Sequence, residues 1–145
     1  MKFSGEKSHN IDNKGRIVIP ACFREEFPDS LVVTKGFEGC LNIYTPQHFD
    51  KIAENLEKLP PTKKAARTYV RLFNSRVEEC EIDSQNRINL SATMIREAGI
   101  IKQCVFIGAI NYIELWAAEK WEEWLNDNDG LYEETAEKLT DMLDE

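Results

Sequence analysis

Apolar and polar residues along the first half of the chain follow a pattern that predicts short strands, turns and two helices. Ile17 and Ile19 lie two residues apart, as the inward positions of a half-buried strand do. Further on, apolar residues recur at the spacing of an amphipathic helix, namely Phe49, Ile52, Ala53, Leu56 and Leu59. The predicted elements are strands at 5–11 and 16–19, a short helix from Pro20, a hairpin of 31–34 and 41–44, and a helix opened by Thr45 and Pro46 and ended by Pro60.

The second half of the chain repeats this order of elements. Its predicted elements are strands at 80–82 and 87–90, a short helix capped by Ser91 and closed by Gly99, a hairpin within 105–116, and a helix that contains Trp121. Between the halves, residues 63–75 form a predicted helix with Lys64, Arg67 and Arg71 on one side and apolar residues on the other. Residues 131–143 place apolar side chains at helical spacing in an acidic stretch, which predicts a peripheral helix or a frayed one.

Two matching segments show that the chain contains an internal repeat. Ile11–Ile19 returns 71 positions later as Ile82–Leu90, with an Asp and an Arg four residues apart in both copies. With one residue inserted in the second copy, the match continues through the hairpin and the helix that follow. Because open repeat arrays usually need three or more units, two copies of about 70 residues are expected to pair around a pseudo-twofold axis and to share one core.

We therefore predict one domain that spans residues 1–145. Its parts are a first half-motif at 1–61, a connecting basic helix at 62–76, a second half-motif at 77–128 and an acidic C-terminal helix or tail at 129–145. The cysteines are far apart and form no Cys-x-x-Cys pair, and no apolar leader or bilayer-length run is present. These features predict a reduced, cytoplasmic protein with free cysteines, no metal, no cofactor and no membrane partner.

Charge is distributed unevenly along the chain. The net charge of −8 argues at first against a nucleic-acid partner, since basic surfaces supply most of that binding energy. Residues 122–145, however, hold ten acidic side chains and one basic side chain, so residues 1–121 carry 17 Lys and Arg against 16 Asp and Glu. An acidic tail is thus attached to a near-neutral body, and the overall charge does not exclude DNA binding.

The repeated Asp-x-x-x-Arg segments have the composition of tight turns. Asp12 and Asp83 favour the start of a turn because their carboxylates can accept hydrogen bonds from the following backbone amides. Gly15 and Asn86, which precede the arginines, tolerate the left-handed backbone conformation that reverses a chain. Turn formation alone accounts for these four residues, which we expect to orient the motif.

The arginines of the two turns are not required by turn geometry. Arg16 and Arg87 each carry a planar guanidinium that suits a phosphate or the edge of a guanine, and Lys14 adds charge to the first turn. In a symmetric oligomer many copies could add modest contacts into tight binding. The alternative is that both arginines are structural ion-pair partners of the aspartates.

These motifs, together with the run Gly15–Ala21, the segment Thr68–Phe73 and the strand Ile113–Trp116, resemble the MraZ family over essentially the whole chain. The resemblance implies an AbrB-like swapped-hairpin β-barrel built from two tandem half-motifs with peripheral helices. It implies a ring-like homo-oligomer, located in the cytoplasm and associated with the nucleoid. It also implies a transcriptional regulator that binds repeated sites in double-stranded DNA upstream of its own operon, a division and cell-wall gene cluster.

Carried over by position, the DNA-contacting residues of the family fall on Arg16 and Arg87, with Lys14 beside the first. The second motif departs from the family pattern, because Asn86 stands where Gly is usual and Gln85 where a small residue is common. Since Asn can hold the same backbone geometry, the second turn is expected to persist.

Two questions stay open at this level. The basic residues Lys64, Arg67 and Arg71 could contact phosphates, or they could meet the acidic tail of the same or a neighbouring subunit. A ring-forming, protein-binding scaffold is the alternative to a DNA-binding protein, and salt dependence would separate the two. An enzyme is disfavoured, because no phosphate-loop, nucleophile-elbow or metal-ligand spacing is present.

Overall fold

The computed structural model of the chain describes residues 2–143 and has the α+β class predicted from the sequence. Its strands are β1 (Glu6–Asn10), β2 (Arg16–Val18), β3 (Ser30–Lys35), β4 (Leu41–Tyr44), β5 (Glu78–Glu81), β6 (Arg87–Asn89), β7 (Gln103–Gly108) and β8 (Ile113–Ala117). Its helices are α1 (Ala21–Arg24), α2 (Pro46–Glu57), α3 (Lys64–Asn74), α4 (Ala92–Glu97), α5 (Ala118–Asn128), α6 (Tyr132–Lys138) and α7 (Thr140–Leu143).

Local sequence signals explain where the helices begin. The Thr45 hydroxyl accepts a hydrogen bond from the His48 amide at 3.1 Å, and Pro46 occupies the first turn of α2, where its missing N–H is not needed. The Ser91 hydroxyl likewise accepts from the Met94 amide at 3.2 Å, which confirms the predicted cap of α4.

The two halves of the chain exchange strands. A six-stranded antiparallel sheet has the order β1-β7-β8-β4-β3-β5, and a separate two-stranded ribbon joins β2 to β6. The first strand of each half therefore pairs with a strand of the other half: β1 with β7, and β5 with β3. Replacing each strand by its repeat equivalent leaves the order of the sheet unchanged, as a pseudo-twofold axis requires.

The six-stranded sheet stays open within the part of the chain that the structure describes. Strands β1 and β5 lie at its two ends and each pairs with one neighbour, so the closed barrel implied by the family resemblance is not found. Strand exchange between the halves and closure of the sheet are separate features of a fold. The strand pairings of this sheet show the exchange of β1 and β5 between the halves but no closure of the sheet.

One hydrophobic core takes its residues from both halves. Phe3 packs against Phe23 and Phe27 with ring centroids 5.7 and 5.5 Å apart. The same cluster includes Ile17 and Ile88 from the ribbon, both almost completely buried. The ribbon covers one side of this core. The burial of Ile17 and Ile88 therefore attaches the ribbon to the rest of the protein.

Helices α2 and α3 pack together on the β3–β4 side of the sheet. Phe49 of α2 stacks on Phe73 of α3 with ring centroids 6.3 Å apart, and Tyr69 stacks on Phe73 within α3 at 5.8 Å. Leu59, predicted to face inward on α2, lies beyond the end of that helix and is 37% exposed. The reason is Pro60, which disfavours helical backbone at the residue before it.

The C-terminal acidic segment is helical but broken. A 3-10 turn at Asp129–Leu131 separates α5 from α6, and a single residue, Leu139, separates α6 from α7. Residues 129–143 are exposed throughout. No helix within residues 2–143 is long and apolar enough to cross a membrane.

Candidate nucleic-acid interface

The first Asp-x-x-x-Arg turn is held by one carboxylate. Asp12 Oδ1 accepts hydrogen bonds from the backbone amides of Lys14 and Arg16, both at 2.9 Å, and Asp12 Oδ2 accepts from Arg16 Nε at 2.7 Å. The Asp12 amide donates to the Arg16 carbonyl at 2.9 Å and closes the turn. A single side chain therefore fixes both the backbone of the turn and the direction of the arginine.

The second turn reproduces this geometry almost atom for atom. Asp83 Oδ1 accepts from the amides of Gln85 and Arg87 at 2.8 and 2.9 Å, and Asp83 Oδ2 accepts from Arg87 Nε at 2.9 Å. The Asp83 amide donates to the Arg87 carbonyl at 2.9 Å. The two motifs thus present their arginines in the same local frame.

The aspartates of both turns are held in their ionised form. The backbone amide of Arg16, and secondly its guanidinium, lower the pKa of the Asp12 carboxyl, and Arg87 lowers the pKa of Asp83 in the same way. A charged acceptor strengthens each of these hydrogen bonds. The turns therefore keep their arrangement across the neutral range of pH.

The residues before the arginines adopt the left-handed backbone conformation. Gly15 has φ +82° and Asn86 has φ +61°, so both turns reverse in the same way. A Cβ added at Gly15 would lie 2.8 Å from the Leu90 carbonyl oxygen, so a larger residue does not fit there. The second turn has room for a side chain, and this explains how Asn86 replaces the usual glycine.

Arg24, which the sequence interpretation missed, lies against the second turn. Its Nε donates to Asn86 Oδ1 at 2.8 Å, and its other nitrogens donate to the carbonyls of Phe27 and, at 3.3 Å, Pro28. Arg24 thus links the asparagine of the second motif to α1 of the first. No local signal marks this contact, because Arg24 and Asn86 are 62 positions apart.

The two turns meet in the ribbon of β2 and β6. Ile17 is paired with Ile88 at its centre, Arg16 with Asn89, and Val18 with Arg87. Paired residues of an antiparallel ladder point to the same face, and neighbours along a strand point to opposite faces. Both arginines therefore lie on the outer face of the ribbon, diagonally across it, while the isoleucines point into the core.

Backbone hydrogen bonds beyond the ribbon tie each turn to the other motif. The Leu90 amide donates to the Gly15 carbonyl, and the Ile19 amide donates to the Asn86 carbonyl, both at 2.8 Å. These bonds are equivalent under the repeat. They fix the separation and the relative orientation of the two turns.

Each arginine keeps hydrogen-bonding capacity after pairing with its aspartate. The ion pairs use Nε, and none of the hydrogen bonds among residues 2–143 uses the Nη atoms of Arg16 or Arg87. The side chains are 32% and 25% exposed. The two interpretations left open by the sequence are therefore compatible, since the ion pair orients a guanidinium whose outer edge stays accessible.

The other candidate residues lie at different places. Lys14 is exposed at the tip of the first turn, where the second turn has Gln85. Lys64, Arg67 and Arg71 are exposed on α3, which packs against β3 and α2, so the structure does not bring them into the ribbon.

The described part of the chain contains no metal-binding cluster, and three of its four cysteines are buried. Residues 2–143 contain no cluster of His, Cys, Asp and Glu that could hold a metal ion. Burial raises the pKa of Cys40 to about 12 and those of Cys80 and Cys104 to about 11, so these thiols stay protonated at neutral pH. Trp116, Trp121 and Trp124 pack on one another beside α5, away from the ribbon.

Fold and site together define a class: an α+β protein with two interlocked repeats whose Asp-Arg turns meet on one two-stranded ribbon. The family described as "MraZ protein, putative antitoxin-like" matches residues 2–72 and again residues 75–142. The chain belongs to the MraZ family.

Named relatives cover nearly the whole chain. A protein of Lactobacillus delbrueckii subsp. bulgaricus named "Transcriptional regulator MraZ" is 47% identical over 140 residues, which are 97% of this chain and 98% of the relative. Proteins with the same name are 44% identical in Lactobacillus gasseri, over 97% of this chain and 98% of the relative, and in Thermoanaerobacter sp., over 95% and 96%.

Proposed function

We propose that this protein is a transcriptional regulator that binds double-stranded DNA through the outer face of the β2–β6 ribbon. The observation that carries the proposal is the placement of Arg16 and Arg87 on that face, each with Nε held by an aspartate and its Nη atoms accessible. The names of its relatives support the same function.

The chemistry of the ribbon suits the major groove of DNA. This groove is wide enough to admit a two-stranded β-ribbon, and an arginine can donate two hydrogen bonds to the O6 and N7 atoms of guanine or to a phosphate. An arginine already oriented by a carboxylate loses less side-chain entropy on binding. Lys14 would add a phosphate contact beside Arg16 only, so the two motifs would bind unequally.

Self-association would strengthen this binding. One chain offers two arginines, whereas a ring-like homo-oligomer offers many copies to repeated sites, and effective concentration then raises the overall affinity. We propose such a ring, with repeated sites upstream of the protein's own operon, a division and cell-wall gene cluster, and a place in the cytoplasm at the nucleoid. The exchange of β1 and β5 between the halves supports the AbrB-like swapped-hairpin arrangement as the basis of the fold.

Fluorescence anisotropy tests the proposal directly. DNA from immediately upstream of the gene is compared with scrambled DNA at two salt concentrations, for the wild type and for Arg16→Ala/Arg87→Ala. We expect sequence-preferring binding that weakens with salt, and a loss of about tenfold or more in affinity per arginine removed. The salt dependence should also become shallower, because fewer counterions are released.

A matched control removes two positive charges outside the ribbon. Lys51→Ala/Lys58→Ala changes exposed lysines on or next to α2 and should leave specific binding nearly unchanged. Circular dichroism and molar mass must be the same in all variants. Specific binding that survives in the double arginine variant would show that the arginines are structural. Absence of sequence preference in the wild type would favour a protein-binding scaffold.

A further inference from the structure

The solvent-facing side of α3 carries positive charge next to an apolar groove. Lys64, Arg67 and Arg71 form a basic stripe on this side, and Arg67 and Arg71 also line the groove. Exposed apolar side chains bordered by charges are typical of interaction surfaces. The inner side of the helix is already used by the contact with α2.

A groove between the end of α2 and α3 lies beside the basic stripe. Its lining is apolar except for Glu57 and the two arginines Arg67 and Arg71, and the apolar members are Leu56, Leu59, Pro61, Ala66 and Val70. The stripe and the groove together form what we call the α3 surface. Its shape and charge suit an amphipathic helix that carries acidic residues.

The C-terminal helices of the same chain have the complementary character. Met142 and Leu143 of α7 are 67% and 77% exposed, and Tyr132 at the start of α6 is 82% exposed. The neighbouring positions are acidic, namely Glu133, Glu134, Glu137 and Asp141. Tyr132 and Leu139 also line a cavity between the tail and Trp124 and Leu125 of α5, whereas Met142 and Leu143 lie outside it.

The opposite charges are not paired with each other within one chain. The salt bridges among residues 2–143 are Asp12–Arg16, Arg76–Glu97 and Asp83–Arg87. None involves the basic stripe of α3 or the carboxylates of α6 and α7. Both surfaces are therefore available to a second molecule.

We propose that the acidic C-terminal helices of one copy dock on the α3 surface of a neighbouring copy. The argument is charge complementarity, joined to matching apolar side chains on two surfaces that one chain leaves uncovered. The two surfaces differ, so the contact is head to tail, and such contacts close into rings when the rotation between subunits allows it. The inference deepens the self-association in the proposed function, on which it rests, by naming the surfaces that meet.

Charge reversal with restoration tests the docking. One variant is Lys64→Glu/Arg67→Glu/Arg71→Glu, a second is Glu133→Lys/Glu134→Lys/Glu137→Lys, and a third combines all six substitutions in one chain. Molar mass is measured by light scattering at low and high salt. We expect the wild type to be an oligomer and each single-surface variant to fall toward the 16.7 kDa of one chain. The combined variant, and an equimolar mixture of the first two, should regain the mass of the wild type.

A charge-matched control and a DNA measurement separate the possible outcomes. Lys2→Glu/Lys7→Glu/Lys102→Glu makes the same change in net charge at exposed residues elsewhere and should keep the oligomer. Single-surface variants that assemble like the wild type, or a combined variant that stays dissociated, would overturn the docking. So would a reversed α3 variant that keeps its mass and loses DNA affinity, because its stripe would then contact phosphates. A wild type that is monomeric would overturn the self-association in the proposed function as well.

Discussion

Ile17 of β2 lies directly opposite Ile88 of β6, and both side chains are almost completely buried. The two residues occupy the same position in the two copies of the repeat, so the pseudo-twofold axis passes through this pair. The second self-paired point is Asn42 opposite Glu114, at the centre of the β4–β8 pair. The ribbon is thus attached to the core at a pair to which both halves contribute equally.

Truncation of this pair should destabilise the protein strongly. Ile17→Ala and Ile88→Ala should each lower the free energy of unfolding by about 2–5 kcal/mol, because each leaves a cavity in the core. Since the side chains are neighbours, the double variant should lose less than the sum of the two single losses. Urea unfolding measures all three. Val18→Ala, on the outer face at 37% exposure, is the control and should change stability by about 0.5 kcal/mol or less.

Gly15→Ala should cost more than the same substitution at Gly5. Both glycines have positive φ, +82° and +90°, so alanine is strained at either position by about 1–2 kcal/mol. Only at Gly15 would the new Cβ also meet a carbonyl oxygen at 2.8 Å, whereas at Gly5 no atom lies within 4 Å. Thermal unfolding measures the loss of stability in each variant. The loss at Gly5 reports the backbone strain of alanine at positive φ, and the additional loss at Gly15 reports the steric clash. Equal losses would mean that the ribbon shifts to accommodate the methyl group.

The contact between Arg24 and Asn86 should appear as an energetic coupling. Arg24→Ala should destabilise the wild type by about 0.5–1.5 kcal/mol more than it destabilises an Asn86→Gly background, where the amide acceptor is already absent. Asn86→Gly alone should be tolerated, because glycine readily adopts the φ of +61° found there. Chemical denaturation of the four proteins in this cycle measures the coupling. Purely additive losses would contradict it.

Protonation of Asp12 and Asp83 in acid should remove their stabilisation of the two turns. The folded-state pKa values of Asp12 and Asp83 lie below the ordinary value of 3.8, so their contribution is complete above that value and is lost as the pH falls through the folded pKa. Asp12→Asn/Asp83→Asn should be less stable than the wild type near neutral pH. The difference in stability between the two proteins should become smaller below about pH 4. Urea unfolding midpoints measured across the acid range test this. A difference that stays constant down to the acid limit would contradict the assignment.

Turn chemistry was the part of the site most open to prediction. The roles expected of Asp12 and Gly15 follow from residue types within five positions of one another. Asp12 accepts hydrogen bonds from nearby backbone amides, and Gly15 has a positive φ. The short helix after Ser91 was predictable for the same reason. Arg24 was not, because its partner lies 62 positions away and no local pattern records such a contact.

Strand pairing shows a second limit of prediction. The alternation of Ile17 and Ile19 gives the buried face of a strand, but it carries no information about which strand lies beside it. The exchange of β1 and β5 was therefore expected from family resemblance alone, and the same resemblance implied a closed barrel that the pairings do not contain. Breaks in the C-terminal helix were also missed, since single-turn interruptions leave the helical spacing of leucines intact.

The strand exchange has a consequence for the synthesis of the protein. Glu6 of β1 pairs with Ile107 of β7, so the partner of the first strand is made about 100 residues later. At translation rates of about 5–20 residues per second, β1 has no partner strand for several seconds or more during synthesis. Pairings so distant in sequence also fold slowly once the chain is complete. Polar and charged residues such as Lys7 and Asn10 disfavour pairing of the unpaired β1 with other chains. The composition of β1 thus limits aggregation until β7 has been synthesised.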